Sequence, residues 1–439
     1  MITEIQVKNF KSYKSGVLPF ASLTVLIGAN ASGKSNIIEA LRLLARIATG
    51  ERLSLLGDTH KQNESPFRGE IDNLGYRGAK SFQIACNINT QDFKGWNHFE
   101  IDLELGNDGN IHVIKEKITD PISTVPLYQI SSEPQGVGSD VEVEYNNFAG
   151  GGRRPKIVCS SHMAIFTQLL SDIRFRQENP ESREKIPRIT ESYVNWLSSI
   201  VFLEPEPHAM RSYSYKTDCL LDKHGENLSG VLYNLSQNPT IKAEILEFVR
   251  SLPEQDIEDI DFIETSRGEV MLKLTETFGG ISTAYDATNL SDGTLRVLSI
   301  AAVLFSASEQ SIVVIEEIDN GVHPNRVEGL LKRISNIAKL RHLRVLISSH
   351  NPALLDALPD EAIPETVFCY RSPDDGSSKL VRLQDITDYP ELIAQGTVGH
   401  LMTQGLLEKF VKYHPGSEQK KQKAMEWLAS LRQEMKISV

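Results

Sequence analysis

Gly28-Ala-Asn-Ala-Ser-Gly33-Lys34-Ser35 sets two glycines, a lysine and a hydroxyl in the spacing GxxxxGK[ST]. The chemistry open to such a stretch is the holding of a polyphosphate. Gly28 and Gly33 let the backbone turn so that its N–H groups face phosphate oxygens with no Cβ in the way. Lys34 is suited to bridge β- and γ-phosphates, and the Ser35 hydroxyl to ligate Mg²⁺. The flanks agree. "LTVLIG" before the loop reads as a buried strand. "NIIEALRLLARI" after it reads as a helix with Ile37, Ile38, Leu41, Leu44 and Ala45 on one face. The positive end of that helix adds to the same anion site.

Two further stretches carry groups that complete such a pocket. "QSIVVIEEIDNGVHP" (310–324) is a β-branched run ending in Glu316-Glu317. Acids at the carboxyl end of a strand in a parallel sheet lie beside the phosphate loop. Glu316 is placed to hold Mg²⁺ through water, Glu317 to orient an attacking water. Adjacent carboxylates repel each other, and a divalent cation relieves that repulsion. "LRVLISSHNPALLDAL" (343–358) is another buried strand ending in Ser348-Ser349-His350, and His350 can donate to a γ-phosphate. In "NLSDGTLRVLSIAAVLF" (289–305), Ser291-Asp292-Gly293-Thr294 opens an apolar helix, a second anion site. A chain that already cradles its own nucleotide has use for a second such turn only on a neighbour's.

The elements that must position these groups alternate between strands and helices. "ITEIQVKNF", "SFQIACNI", "HFEIDLEL" and "NIHVIKEKI" read as strands, with Phe99, Ile101, Leu103 and Leu105 on one face. Residues 119–155 are rich in Pro, Gly and Ser and read as a loop-rich insertion or connection. Residues 160–200 and 226–252 read as helices, broken between them at Pro205 and Pro207. Strands return at "DIDFIET" and "EVMLKLTETF", and "EQKKQKAMEWLASLRQEM" reads as a terminal helix with Met425, Leu428 and Leu431 as its apolar stripe. The organisation expected is an N-terminal lobe (1–118), a loop-rich and helical insertion (119–255), a C-terminal lobe (256–390) and a charged tail (391–439).

At 40% hydrophobic and 24% charged, the composition is that of an ordinary soluble globular protein, and no apolar run reaches membrane-spanning length. The chain opens on a strand rather than a leader, and its scattered cysteines form no CxxC pair. Both point to a cytoplasmic protein without a structural zinc site. The net charge of −12 opposes non-specific adhesion to DNA. "GGGRRPK" and "KLRHLR" read as solvated surface, so composition does not show DNA binding.

In this order the motifs resemble the ATP-binding-cassette ATPases: "LSDGT" resembles the LSGGQ signature, "IVVIEEID" Walker B, "DNGVHP" the D-loop and "SSH" the H-loop. "IQVKNFKSY", Asn36 after "GKS" and the paired Glu before "NGVHP" resemble the DNA-linked group of RecF, structural-maintenance-of-chromosomes (SMC) and overcoming-lysogenization-defect (OLD) proteins. Within it the chain looks like the "AAA15 family", which includes ATPase subunits of anti-phage systems such as Septu and PARIS. "HGENLSGVLYNL" (224–235) and "GTVGHLMTQGLLEK" (396–409) also look like that group.

The resemblance implies an α/β phosphate-loop NTPase of ABC-ATPase type. Its fold would be a mixed central sheet with an antiparallel β subdomain and a helical insertion. It implies a homodimer, or a higher homo-oligomer, sandwiching ATP and Mg²⁺. Gly28, Asn30, Gly33, Lys34, Ser35, Asn36, Glu316, Glu317 and His350 would come from one subunit, Ser291 and Gly293 from the other. Asp292 departs from the usual Gly-Gly and is given no phosphate contact. The family's glutamine near Mg²⁺ has Gln168 as its candidate, and Asp319 would cross the interface. The expected role is a nucleotide-gated clamp governing a separate nuclease or effector. Its trigger would be phage-derived or a nucleic acid, and the chain would have no nuclease domain of its own and no membrane partner. A RecF-like DNA clamp, a transporter ATPase and a scaffold using ATP without turnover are the competing readings.

Overall fold

The computed structural model describes residues 1–57, 65–90, 92–93, 95–106, 109–132, 140–149, 153–175, 180–250, 257–278, 280–318, 324–413 and 425. Three sheets organise it. The central one runs in the order β10 (Val201–Leu203), β15 (Ile312–Ile315), β16 (Arg344–Ser348), β3 (Leu23–Ile27), β17 (Val367–Arg371) and β18 (Ser378–Arg382). Its first five strands are parallel and β18 returns antiparallel. Every residue of β3 and β15 is buried, as strands covered on both faces require.

The two faces feed two cores. Leu26, Val314 and Leu346 point into one, with α1 (Lys34–Ala48) and the large antiparallel sheet. Val25, Ile27, Val313, Ile315, Val345 and Ile347 point into the other. There they meet α4 (Leu228–Ser236), α5 (Pro239–Arg250), the almost wholly buried α6 (Asp292–Ser306) and α7 (Pro324–Leu340). The period of two along each strand makes this division. α8 (Pro352–Asp356), α9 (Tyr389–Ile393), α10 (Val398–Thr403) and α11 (Leu406–Tyr413) close the second core.

The antiparallel sheet is larger than the sequence suggests. Its order is β2 (Tyr13–Pro19), β1 (Ile2–Phe10), β4 (Ser81–Ile88), β5 (His98–Leu105), β6 (Ile111–Thr119), β7 (Tyr128–Ile130), β8 (Asp140–Tyr145), β9 (Lys156–Ser160). The stretch read as loop-rich, 119–155, therefore supplies β7 and β8 and leads into β9. Its turn residues hid short strands that bury Tyr128, Val141, Val143 and Tyr145 against the sheet's own core. The 119–255 segment also donates β10 to the central sheet, so it is woven into the fold. Its helices are α2 (Ile165–Gln168), α3 (Pro180–Ser198), α4 and α5. A third sheet centres on β13 (Glu269–Phe278), paired with β11 (Ser214–Tyr215), β12 (Ile257–Glu264) and β14 (Ile281–Asp286). The helix expected at 418–435 lies outside the described residues apart from Met425. No described helix is long and apolar enough to cross a membrane. The expected α/β architecture is found: a mixed central sheet beside an antiparallel β subdomain.

One buried acid ties the antiparallel sheet to the start of α2. Glu116 on β6 accepts from the Tyr128 hydroxyl at 2.6 Å and from the Ile165 and Phe166 amides at 2.7 Å each. Burial pushes its pKa from 4.5 up to about 7 against those donors. Glu116→Ala would leave three buried donors unpaired and cost about 2–4 kcal/mol in thermal or denaturant unfolding. The folded carboxyl takes up its proton more readily than the unfolded one. Its contribution is therefore fullest below about 4.5 and declines as pH rises through about 7. The loss on mutation is expected to be larger at pH 5 than at pH 8.

Candidate functional site

The site grows from the end of β3. After Ile27 the chain takes positive φ at Gly28 (152°), Ala31 (62°) and Gly33 (122°) before α1 begins at Lys34. A Cβ on Gly28 would lie 2.2 Å from the Cys369 carbonyl oxygen, and one on Gly33 2.3 Å from Ser378 Oγ. The neighbours pressing on these glycines also hold the loop. Tyr13 donates its hydroxyl to the Gly33 carbonyl at 3.0 Å, and Ser378 donates to the Ser32 carbonyl at 2.5 Å. Arg371, ending β17, donates through Nε to the Ala31 carbonyl at 2.9 Å. No side chain caps α1 at Gly33, so the first N–H groups of the helix face the cavity beside it.

Lys34 lies back along the loop, its Nζ donating to the Gly28 carbonyl at 2.6 Å and the Ala29 carbonyl at 3.1 Å. Burial lowers its pKa, and the nearby Glu317 carboxylate works against that shift. Since β15, β16 and β3 are adjacent and parallel, their carboxyl ends emerge on one edge. A cavity of about 350 Å³ opens there, lined by Asn30, Gly33, Lys34, Ser35, Asn36, Glu316, Glu317, Ser348, Ser349, His350 and Arg371 among others. Lys34, Ser35, Glu316, Glu317 and His350, read from three separate stretches, are thus brought together. Gly28 shapes the turn without lining the cavity. Asn36 lines it, but its amide donates to Ser12 Oγ at 2.7 Å, which ties α1 to the β1–β2 turn.

The acids differ in setting. Glu316 is buried and forms an ion pair with Arg42 of α1. Burial raises its pKa, and the Arg42 guanidinium pulls the other way. Glu317 has a left-handed backbone, φ 51°, and its amide donates to Ser348 Oγ at 3.4 Å. Strain of this kind in a non-glycine residue is kept where it aims a functional group. The donors facing the loop, the Ser35 hydroxyl and two carboxylates, are hard oxygens. They suit Mg²⁺ with phosphate oxygens completing its shell.

One expected residue lies elsewhere. Gln168 does not line the cavity. Its Oε1 accepts from the Ser160 amide at 2.9 Å and its Nε2 donates to the Ser160 carbonyl at 2.8 Å, so the side chain behaves as an extra strand residue against β9. That occupation removes it as a metal ligand in this arrangement. Ser291 and Gly293, expected to serve the nucleotide of a second copy, lie outside this lining at the head of α6. Ser291 caps that helix by accepting from the Thr294 amide at 3.1 Å, and Asp292 turns to Arg211 at 2.7 Å. Asp319 is outside the described residues.

Arg42, Arg371, Ser12, Tyr13 and Ser378 were not anticipated. Arg42 carried a signal: it lies seven residues beyond Ser35, hence on the same side of the helix. Arg371 carried none, because only the strand order sets β17 next to β3. Gly28→Ala is expected to disrupt the loop. The clash is with backbone at a φ that L residues rarely adopt, so a cost of about 2 kcal/mol or more should appear as a lowered Tm together with lost nucleotide binding.

Residues 1–120 match the family model of an "AAA ATPase domain". Residues 168–356 match one described as "AAA domain, putative AbiEii toxin, Type IV TA system". An ATP/GTP phosphatase of Helicobacter pylori is 22% identical over 379 residues, 85% of this chain and 91% of that protein. The DNA replication and repair protein RecF of Acetivibrio thermocellus is 30% identical over 132 residues, 30% of this chain and 28% of its own length. Among solved structures, an SMC head bound to the C-winged helix domain of ScpA is 17% identical with a TM-score of 0.49, covering 87% of this chain and 96% of that one. Residues 1–120 and 168–356 are thus each similar to an AAA-domain model, and a stretch of 132 residues is similar to RecF.

Proposed function

We infer that the chain binds and hydrolyses ATP with Mg²⁺ and works as a nucleotide-gated dimeric clamp. In this reading it is the sensor ATPase of an anti-phage complex that governs a separate nuclease or toxin. The observation that carries the ATPase reading is the meeting of Lys34, Ser35, Glu316, Glu317 and His350 on one cavity from three neighbouring strands. The phosphatase similarity over most of the chain supports it. The second family match, whose description names a toxin system, supports a defence role, as does the AAA15 resemblance.

The residues divide the work by chemistry. Loop N–H groups and the start of α1 receive phosphate oxygens. Lys34 exchanges its two carbonyl acceptors for phosphate, where its charge is stabilised rather than penalised by burial. Ser35 and Glu316 would hold Mg²⁺, which supplies charge neutralisation on the phosphate oxygens. Glu317 orients and deprotonates the attacking water, and His350 donates a hydrogen bond to the terminal phosphate. The head of α6 completes the site of a second copy. Arg211 draws the Asp292 carboxylate aside, so the helix start around Ser291 and Gly293 is left to meet an anion. A nucleotide touched by both copies closes the pair, and its hydrolysis reopens it.

Lys34→Ala should abolish ATP binding. Glu317→Gln should bind ATP normally, lose turnover by about 10²-fold or more, and accumulate as a closed dimer seen by light scattering. Ser291→Arg should bind nucleotide yet fail to pair. A monomer that hydrolyses ATP at the full rate would overturn the clamp.

The RecF similarity favours a second reading, a DNA-repair or chromosome ATPase that grips duplex DNA directly. ATP-stimulated retention of duplex DNA on filters, weakening steeply with salt, would select it. Retention unaffected by ATP would leave the effector-governing role.

A further inference from the structure

Arg42 faces two acids with one nitrogen. Its Nη2 is ion-paired to Glu316 Oε1 and stands 3.8 Å from Glu204 Oε2. The acids are neighbours because Leu203 of β10 is in register with Ile315 of β15, and the Glu316 amide donates to the Leu203 carbonyl at 2.9 Å. The guanidinium lies over the Phe202 ring, 5.4 Å from its centroid, and its Nε is buried with no hydrogen-bond partner. It is a largely buried cation held by a flat face and one strong contact, with a second acceptor within a small rotation. Lys223 at 3.1 Å and Arg68 at 4.0 Å also attend Glu204.

Glu316 is the carboxylate assigned above to Mg²⁺, and this step rests on that reading. An oxygen engaged by a guanidinium is a poor acceptor for a metal or its water, and two cations on one carboxylate repel. We propose that Arg42 is a positioning residue that trades Glu316 for Glu204 as the divalent cation and nucleotide enter. Glu204, at the end of the edge strand, thereby sets how readily the metal is taken up. Glu204 opens the segment that reaches Arg211 at the head of α6, so the same exchange connects metal loading to the signature turn.

The test is the divalent-ion dependence of ADP binding to the full chain, followed by calorimetry and, for bound Mn²⁺, by electron paramagnetic resonance. Glu204→Gln removes the alternative seat and should raise the half-saturating Mn²⁺ about fivefold, equivalent to about 1 kcal/mol. Arg42→Met removes the competitor and should lower it by a similar factor. The double variant should match Arg42→Met, since Glu204 acts only through Arg42. Shifts in the same direction, additive shifts or no shift overturn the proposal. If Arg42→Met does not fold, the neutral Arg42→Gln replaces it in the cycle, and a Glu204→Gln effect unchanged on that background is again contrary. Wild type that binds Mn²⁺-ADP tightly while the variants do not differ sinks this step alone. Wild type that binds no nucleotide removes the ATPase reading and this step with it.

Discussion

At Gly28 and at Gly33 the backbone between Ile27 and Lys34 has no room for a side chain. On one side it lies against the Cys369 carbonyl, on the other against Ser378, and glycine is the residue at both points of closest approach. The same tightness gives the loop its shape. Tyr13, Ser378 and Arg371 take up the carbonyls of Gly33, Ser32 and Ala31, and the Ser32 amide turns back to the Ala29 carbonyl at 3.2 Å. A cradle for phosphate is thus made by what surrounds the loop as much as by the loop itself.

Charge is arranged on top of that cradle in opposed pairs. Burial disfavours the charged form of Lys34 and of Glu316 alike, and each is set near a group of opposite sign: Glu317 for the lysine, Arg42 for the acid. Such pairs gain less than their separation suggests, because both partners are desolvated. Their use is that they respond to an incoming anion and cation together. At the far end of the second core Asp292 is held by Arg211 in the same way, which keeps a carboxylate off the helix start.

The two cores give these local arrangements a mechanical setting. The central sheet carries the phosphate loop and both acids on a single edge, while α1 belongs to one core and α6 to the other. Movement at Glu316 reaches β10 through a backbone hydrogen bond and a shared arginine, and β10 leads into the segment that restrains the α6 turn. A rigid sheet with a hydrogen-bonded edge strand transmits small displacements better than loops would.

Much of this was legible in the residues. GxxxxGKS, Glu316-Glu317 and Ser348-Ser349-His350 each declare themselves locally, because phosphate chemistry needs particular side chains at the ends of strands whose all-apolar runs are unmistakable. Periodicity also marked α1 and its buried face. The short strands of 119–160 were not legible: three to six residues between turn signals are too few for alternation to show, although each strand pairs with the one before it. Gln168 was misplaced for a related reason, since its amide is consumed by the backbone of Ser160, a pairing no spacing rule reveals. The sequence by itself determined which groups would line the cavity beside the loop: Lys34, Ser35, Glu316, Glu317 and His350. Tertiary structure decided who holds those groups in place: Arg371 from the adjoining strand, Ser12 from the β1–β2 turn, Tyr13 from the start of β2, and the placing of Arg42 between two acids. Those contacts depend on strand order and register, which arise from the packing of distant segments rather than from any one of them.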